Sequence, residues 1–483
     1  MKKLIFLPFL LMNIISLMAQ TYVDVTPTAF TGLSIDIHCS SASGDINNDE
    51  NIDIIVTGRD NISGNHLIWI FLGDGNGGFT QSTNSGIQWG LNYSSINLGD
   101  YDGDGYLDIV TQGWEWDPVA LTNTQRAYVF HNNGSSNPGH FTKAATLGGR
   151  SNGTIEFGDY DNDGKLDILQ TGWDQALKSG AGDGHTTIYH NDGNNVFRDI
   201  NNTSVFNFAD GQARFGDLNN DGKLDIIING WMQSHIYTGD GLGNFVDAQV
   251  TLPGYDWSYV KCIDYDKDGK TDILIGGHYW NNGDFYETKV FRGTGTNAYN
   301  FTEMNFGLTK VHRGPIQLGD CNGDGKTDFF ISGWGGVGIF QILKNDGTNN
   351  AFSVVANIND IISGWADGTL EVKDFNHDGK DEVFKCGWGL TRLYKNTDAV
   401  VTNIDQSKIS KINITAFENS IKINNIDSKM TLCKIEVFNA IGKSVSKLIS
   451  DQSSIIIPNI NNGIYVVRVE SGIESKTTKL IIQ

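Results

Sequence analysis

Apolar residues along this chain come in short bursts with alternating character, not in helical stripes. Within residues 153–204, Thr154-Ile155-Glu156-Phe157 and residues 166–171, 186–190 and 196–200 are runs of four to six residues rich in β-branched and aromatic side chains, separated by Gly, Asn and Asp. Runs of that length, bounded by turn residues, predict strands joined in hairpins. Four of them make one unit. The turn between the third and fourth recurs as LGDGNGGF from Leu72, HNDGNNVF from His190, TGDGLGNF from Thr238 and KNDGTNNAF from Lys344, so the whole four-stranded unit repeats along the chain.

Between the first and second strand of each unit lies a nine-residue acidic loop of the form DxDxDGxxD. Its copies start at Asp45, Asp100, Asp159, Asp217, Asp264, Asp320 and Asp374, at separations of 55, 59, 58, 47, 56 and 54 residues. A fixed period of this size marks an array of supersecondary modules, and seven modules of four antiparallel strands suit a β-propeller better than a solenoid. Tyr22-Val23-Asp24-Val25 has the pattern of a fourth strand, whereas the seventh unit stops after its third, at Leu393-Tyr394-Lys395-Asn396. The N-terminal strand is therefore expected to complete the last blade, and closure of this kind removes exposed sheet edges. At 483 residues the chain is too long for one ordinary core, but an array grows without enlarging any single one. Its 58 Gly, 7 Pro and 19% charged residues suit tight turns and exclude a disordered chain.

The expected fold is all-β: a seven-bladed β-propeller over residues 20–400, followed by a small C-terminal β-sandwich over 401–483. From about Val401 the chain has no Trp and no acidic loop, and Lys and Ile increase; alternating runs such as Ile435-Glu436-Val437-Phe438 continue to the end.

The loops carry candidate chemistry. Alternate side chains of a tight turn converge, Gly at the sixth position permits positive φ, a backbone carbonyl is available at the seventh, and an acid at the ninth closes the shell. That many hard oxygen donors suit Ca²⁺, giving up to seven structural sites. The candidate ligands are Asp45, Asn47, Asp49 and Asp53; Asp100, Asp102, Asp104 and Asp108; Asp159, Asp161, Asp163 and Asp167; Asp217, Asn219, Asp221 and Asp225; Asp264, Asp266, Asp268 and Asp272; Asp320, Asn322, Asp324 and Asp328; Asp374, Asn376, Asp378 and Glu382. Four of these are Asn, so the loops place 24 of the 56 acidic residues at ligand positions, and seven divalent ions would bring the formal charge of −21 to about −7. The acidity is thus mostly local metal chemistry, and nucleic acid is excluded as a partner. With every loop side chain engaged as a ligand, the ions are structural, and no catalytic residue is assigned: there is no Ser/His/Asp order, nucleotide loop or zinc spacing.

These loops, and the strand that follows each, resemble the FG-GAP/VCBS repeats of integrin α-subunit propellers and related secreted propellers, over roughly residues 22–396. The resemblance implies a Ca²⁺-binding hairpin between the first two strands of each blade. The first loop departs from the pattern with Glu50 in place of Gly, and the last ends in Asp381-Glu382, which leaves five regular loops.

The connections on the other face hold ten of the eleven tryptophans: Trp89, Trp114, Trp116, Trp173, Trp231, Trp257, Trp280, Trp334, Trp365 and Trp388, with Trp69 alone expected inside a strand. Gly-Trp ends the second strand at Trp114, Trp173, Trp231, Trp334 and Trp388, and Arg59 and His278 take the equivalent places. Seven like positions form a ring on one face. Indoles there either wedge between blades or serve as stacking platforms for a ligand, with Asp210, Asp256, Asp367, Arg150 and Arg313 nearby to bond hydroxyls or acid groups. The connection between second and third strands is long in the second and third blades, as binding loops usually are. An extracellular glycan or protein ligand is the expected partner; the rivals are a polysaccharide lyase or hydrolase on the same scaffold and an integrin-like protein adhesin.

Lys2-Lys3, an apolar stretch from Leu4 to Met12 and a run ending Leu17-Met18-Ala19 predict a secretory signal peptide over residues 1–19; it is interrupted and too short to span a membrane, and no other segment reaches that length. Five scattered cysteines do not make a disulfide scaffold, although Cys39 and Cys386 would be neighbours in a closed ring. In the tail, Asn439-Ala440-Ile441-Gly442-Lys443, Asn462-Gly463-Ile464-Tyr465-Val466 and residues 476–483 resemble the C-terminal sorting domain of type IX secretion, without the usual Pro-Asn-Pro near its start. That resemblance implies contact with the type IX machinery, export across the outer membrane and removal of this domain, with the protein secreted or displayed on the outer cell surface; a monomer is expected.

Overall fold

A computed structural model describes residues 22–36, 38–117, 122–134, 137–175, 184–280, 283–295, 299–335, 338–348, 351–357, 368–387 and 389–396, and in the tail 413–417, 420–424, 433–439, 444–450, 454–458, 460, 463–471 and 474–482. The chain divides into two compact units between Thr397 and Asp398.

The first unit is seven four-stranded antiparallel sheets, each strand pairing with the next. Blade three is representative: Ile155–Gly158, Asp167–Trp173, Gly184–Asn191 and Phe197–Asp199, from the innermost strand to the outermost. Second strands such as Asp53–Arg59, Asp225–Gly230 and Glu382–Gly387 are buried along nearly their whole length. Both faces of a blade are covered by its neighbours, so these strands read as continuous apolar runs and not as alternation. Each interblade layer has its own core, for example Ile46, Ile55, Ile70, Ile96, Ile109, Phe130 and Phe141 between blades one and two.

The ring closes where the ends of the unit meet. Tyr22–Asp24 is the outermost strand of blade seven, pairing antiparallel with Leu390–Asn396 in the register Tyr22↔Asn396 and Asp24↔Tyr394. The innermost strands of blades seven and one, Thr369–Lys373 and Ser40–Gly44, lie side by side, with Ser41 Oγ and Ser43 Oγ both donating to the Glu371 carboxylate. The same kind of link recurs around the central shaft: the Phe157 N–H donates to Asn97, the Phe215 N–H to Glu156, and Gln317 to the Leu370 carbonyl. Asn97, Glu156 and Gln317, each three residues before an acidic loop, thus reach the next blade and satisfy an inner-strand backbone group that water in a narrow shaft would serve poorly. Cys39 and Cys386 are neighbours, with the Cys39 thiol 3.6 Å from the Cys386 carbonyl oxygen, and both are free thiols.

Two second strands are longer than the sequence suggests. In blade two Asp108–Asp117 pairs with Thr122–Asn132, and in blade five Asp272–Trp280 pairs with Asp284–Gly293, both continuing past the Gly-Trp or Gly-His position. Trp114, Trp116 and Trp280 are thus strand residues, as are Trp173 and Trp334 at strand ends and Trp257 in the inner strand Asp256–Ile263. Gly113 and Gly277 have φ near 152°, a conformation open to glycine, and the ladder continues through them.

The second unit has a three-stranded sheet (Asn413–Phe417, Ser420–Asn424, Ser454–Ile457) and a four-stranded one in which Cys433–Asn439 and Gly463–Ser471 lie between Ser444–Ser450 and Glu474–Ile482. Ile421, Ile423, Ile435, Val437 and Val467 are buried in a single core drawn from both sheets, as in a β-sandwich.

Candidate functional sites

The seven acidic loops share one hydrogen-bond pattern. In the third, the Asp163 N–H donates to Asp159 Oδ1 (3.1 Å) and Asp161 Oδ1 (3.2 Å), the Gly164 N–H to Asp159 Oδ2 (2.9 Å), and the Lys165 N–H to Asp163 Oδ1 (2.9 Å). The backbone thus fixes the first, third and fifth side chains before any ion arrives. Asp100, Asp102 and Asp104, Asp159, Asp161 and Asp163, and Asp264, Asp266 and Asp272 each bring ligand oxygens within 4.8 Å of one another. The first loop keeps the pattern despite Glu50, which takes φ 71° and donates its N–H to Asp45 Oδ2 at 2.8 Å.

The acid at position nine is buried in every loop, and in the first six it links two strands. Asp167 Oδ2 accepts from the Tyr160 N–H and Oδ1 from the Asn191 N–H at the end of the third strand; Asp108 does the same with Tyr101 and Asn132. Burial pushes the Asp167 carboxyl up to about 7 and the Asp108 carboxyl to about 8, so neutralisation by a nearby cation would relieve them. In the seventh loop Glu382 is 1% exposed and its Oε1 has no hydrogen-bond partner among the described residues. A buried carboxylate oxygen in that state fits the shell of a hard cation, and so does the donor set as a whole.

The sequence reading missed the fourth loop position. Asn48, Gly103, Asn162, Asn220, Lys267, Gly323 and His377 all adopt φ between 57° and 76°, and several reach the neighbouring loop: Asn48 donates to the Gly105 carbonyl, Asn162 to Gly222, Asn220 to Gly269, and Lys267 to Gly325. The alternation of Asn and Gly at that position was the available signal, since both tolerate the left-handed region. A third-strand residue also distinguishes the loops. His131 and His190 approach the second and third, with Nδ1 3.1 Å from Asp102 and 3.3 Å from Asp167, whereas Arg292, Lys344 and Lys395 set a cation beside the fifth, sixth and seventh.

The opposite face separates the seven Gly-Trp positions. Trp114, Trp173, Trp231 and Trp334 are half-buried, His278 is buried, Arg59 is exposed, and Trp388 lies outside the described residues, as do Trp365 and Asp367. Trp173 and Trp231 meet edge to face at 6.1 Å, and the Trp173 indole N–H donates to the Asp210 carboxylate. His278 bonds Asp284 at 2.8 Å. Arg59 faces Asp36 at 3.5 Å and, with Trp114, lines a groove of about 790 Å³ whose walls include Trp116, Tyr93, Asn92, Asn123 and Gln175. The more open indoles are Trp280, at 65% exposure, Trp89 and Trp257. Tyr93 and Asp36, which belong to the groove, carry no motif that would have identified them.

A ring of four-stranded blades with an acidic hairpin on one end of each defines a seven-bladed propeller of repeat type. Residues 20–111, 116–169 and 217–275 match the FG-GAP-like repeat, and residues 410–483 match the secretion system C-terminal sorting domain. The chain carries FG-GAP-like repeats and ends in a sorting domain for export by type IX secretion to the cell surface or extracellular space. Among solved structures it is similar to an Agrocybe aegerita lectin that recognises non-reducing terminal N-acetylglucosamine (17% identity, 74% of this chain, 87% of the lectin, TM-score 0.46). It is also similar to PorZ, a surface component of the type IX secretion system of Porphyromonas gingivalis (11% identity, 95% of this chain, 61% of PorZ, TM-score 0.42), and to the Penicillium chrysogenum α-L-arabinanase (11% identity, 62% of this chain, 92% of the enzyme, TM-score 0.38). No curated protein matches the chain by sequence. Among the described residues, no helix is long and apolar enough to cross a membrane.

Proposed function

We propose that the protein is an exported, calcium-stapled propeller that binds an extracellular glycan on the face opposite its metal loops. The observation that carries this reading is the groove at blades one and two. Trp114, Trp116 and Tyr93 supply aromatic faces there, and Arg59, Asp36, Asn92, Asn123 and Gln175 supply planar polar groups at its rim. Ligand sites combine a mostly apolar wall with a few convergent polar groups, and aromatic planes beside amides, a carboxylate and a guanidinium suit the C–H faces and hydroxyls of sugar rings. The donor chemistry of the loops supports Ca²⁺, and the lysine-led apolar N-terminus supports a cleaved leader ahead of the sorting tail. The test is a glycan array probed in calcium buffer with the wild type and with Trp116→Ala. Binding lost in the variant at unchanged melting temperature supports the reading; equal binding by both removes the groove from it.

A further inference from the structure

In blades one to six, the residue seven places before the acidic loop falls at the same point of the blade, on the rim of the central shaft at the face opposite the metal loops. These residues are His38, Tyr93, Asn152, Asp210, Trp257 and Arg313 in blades one to six. Five of them hold a left-handed backbone: Tyr93 φ 49°, Asn152 50°, Asp210 53°, Trp257 43° and Arg313 51°. The backbones form a belt, with the Asn152 N–H donating to the Tyr93 carbonyl, Asp210 to Asn152 and Arg313 to Trp257. Glycine would serve such a belt with less strain, and glycine does follow directly at 153, 211 and 314. The strained position itself carries the large polar and aromatic side chains, and residues held in this region by their surroundings cluster at ligand sites.

All six line one cavity of about 350 Å³ at the mouth of the shaft, near the small end of the range for ligand pockets, about 300–1,000 Å³. Arg313 lies flat over the Trp257 ring, 3.6 Å from its centroid, and His38 stacks on Tyr93 at 3.6 Å. Two stacks, one of them capped by the Arg313 guanidinium, therefore face a carboxylate and an amide around one axial opening. Tyr93 also lines the groove at blades one and two, so cavity and groove meet at that side chain.

We propose that this axial cavity holds the terminal sugar of a neutral glycan chain whose following residues lie in the groove. The inference rests on the glycan reading above and adds where the chain ends and what kind of end fits. Asp210 and Arg313 bring opposite charges to the same rim, and that balance suits an uncharged ring with adjacent hydroxyls, which planar acid, amide and guanidinium groups bond in pairs. Inner-strand residues such as Ser41, Ser95 and Arg214 line the cavity inside the six rim residues, so a chain reaching into it enters end-on.

The experiment is calorimetric titration of the full chain with neutral gluco-, manno-, galacto- and xylo-oligosaccharides of two to six residues, and with oligouronides, using wild type, Asp210→Gly, Arg313→Gly and Trp116→Ala. Glycine keeps the left-handed belt, so both axial variants should fold; Arg313→Gly should melt near the wild type, and Asp210→Gly somewhat lower because it gives up the bond from Trp173. The expected result is at least tenfold weaker binding by both, already evident with the disaccharide, whereas Trp116→Ala weakens only the longer oligomers. Wild-type affinity in both glycine variants alongside loss in Trp116→Ala would overturn the axial site and leave the groove standing. Binding confined to oligouronides would overturn the neutral end, and no binding of any oligosaccharide by the wild type would overturn the glycan reading and this inference together.

Discussion

Removing calcium should melt the propeller at a distinctly lower temperature, and the size of the effect follows from the loops. In each, the first and fifth side chains, and in all but the sixth the third as well, are already oriented by backbone N–H donors, as Asp159 and Asp161 are by residues 163 and 164. An ion therefore orders little that is not ordered already. For extracellular-grade sites with dissociation constants of about 0.1–1 mM, 10 mM free Ca²⁺ stabilises each by RT ln(1 + [L]/Kd), about 1.4–2.7 kcal/mol. The five regular loops together contribute about 7–14 kcal/mol if the blades unfold as one. With an unfolding entropy of about 2.1 cal/mol/K per residue over some 375 residues, close to 0.8 kcal/mol per degree, the shift is roughly 9–17 °C. The assay is differential scanning calorimetry in 10 mM CaCl₂ and in excess chelator, with Mg²⁺ added back as a control for charge screening. Melting temperatures within two degrees of each other in calcium and in chelator would refute the stapling argument, and the internal hydrogen bonds of the loops would then suffice.

Four further outcomes are expected. Lys261 lines the shaft and reaches Gln317; though a water molecule can touch it, protein surrounds it, and burial, with Arg214 second, brings its ammonium down to about 8. A lowered folded value against about 10.4 unfolded means that the unfolded chain binds more protons, so wild-type stability rises between about pH 8 and 10.5; Lys261→Met should be more stable at pH 7 by at most about 3 kcal/mol, with the gap closing across that window in urea titrations. Tyr22 packs edge-on against Phe330 at 6.4 Å and donates its hydroxyl to the Asp381 carbonyl, so Tyr22→Ala should cost about 2–4 kcal/mol, measured as a lower urea midpoint; an unchanged midpoint would mean that the N-terminal strand does not stabilise blade seven. Trp173→Ala should cost about 2–3 kcal/mol through its contact with Trp231 and its bond to Asp210, while Trp280→Ala, 65% exposed, should stay within about 0.5 kcal/mol. Glu50→Gly should stabilise by about 1 kcal/mol, because φ 71° strains a side-chain-bearing residue; a loss of stability would indicate that the Glu50 side chain is itself a ligand.

The blade count, the four-strand unit and the chemistry of the acidic loops were legible in the sequence because each depends on contacts within about 55 residues that recur in register. Even the closing strand could be read, from a fourth-strand pattern present at Tyr22 and missing after Asn396. The Gly-Trp ring was legible as a set of equivalent positions, but its exposure was not. Whether an indole is open or wedged depends on the neighbouring blade, and Trp173 against Trp231 differs from Trp280 only through what packs beside it. Hairpin length followed the same rule, since Gly113 marked an apparent strand end that the ladder simply crosses.

What the sequence by itself determined is therefore what repeats, the strands, turns and acidic loops, together with the change of composition at the tail. The tertiary structure alone decided what converges. His38, Tyr93, Asn152, Asp210, Trp257 and Arg313 share no residue type, so only their common offset from the acidic loops joins them along the chain. Only closure of the ring, which turns equal spacing along the chain into equal distance from one axis, brings them around a single opening.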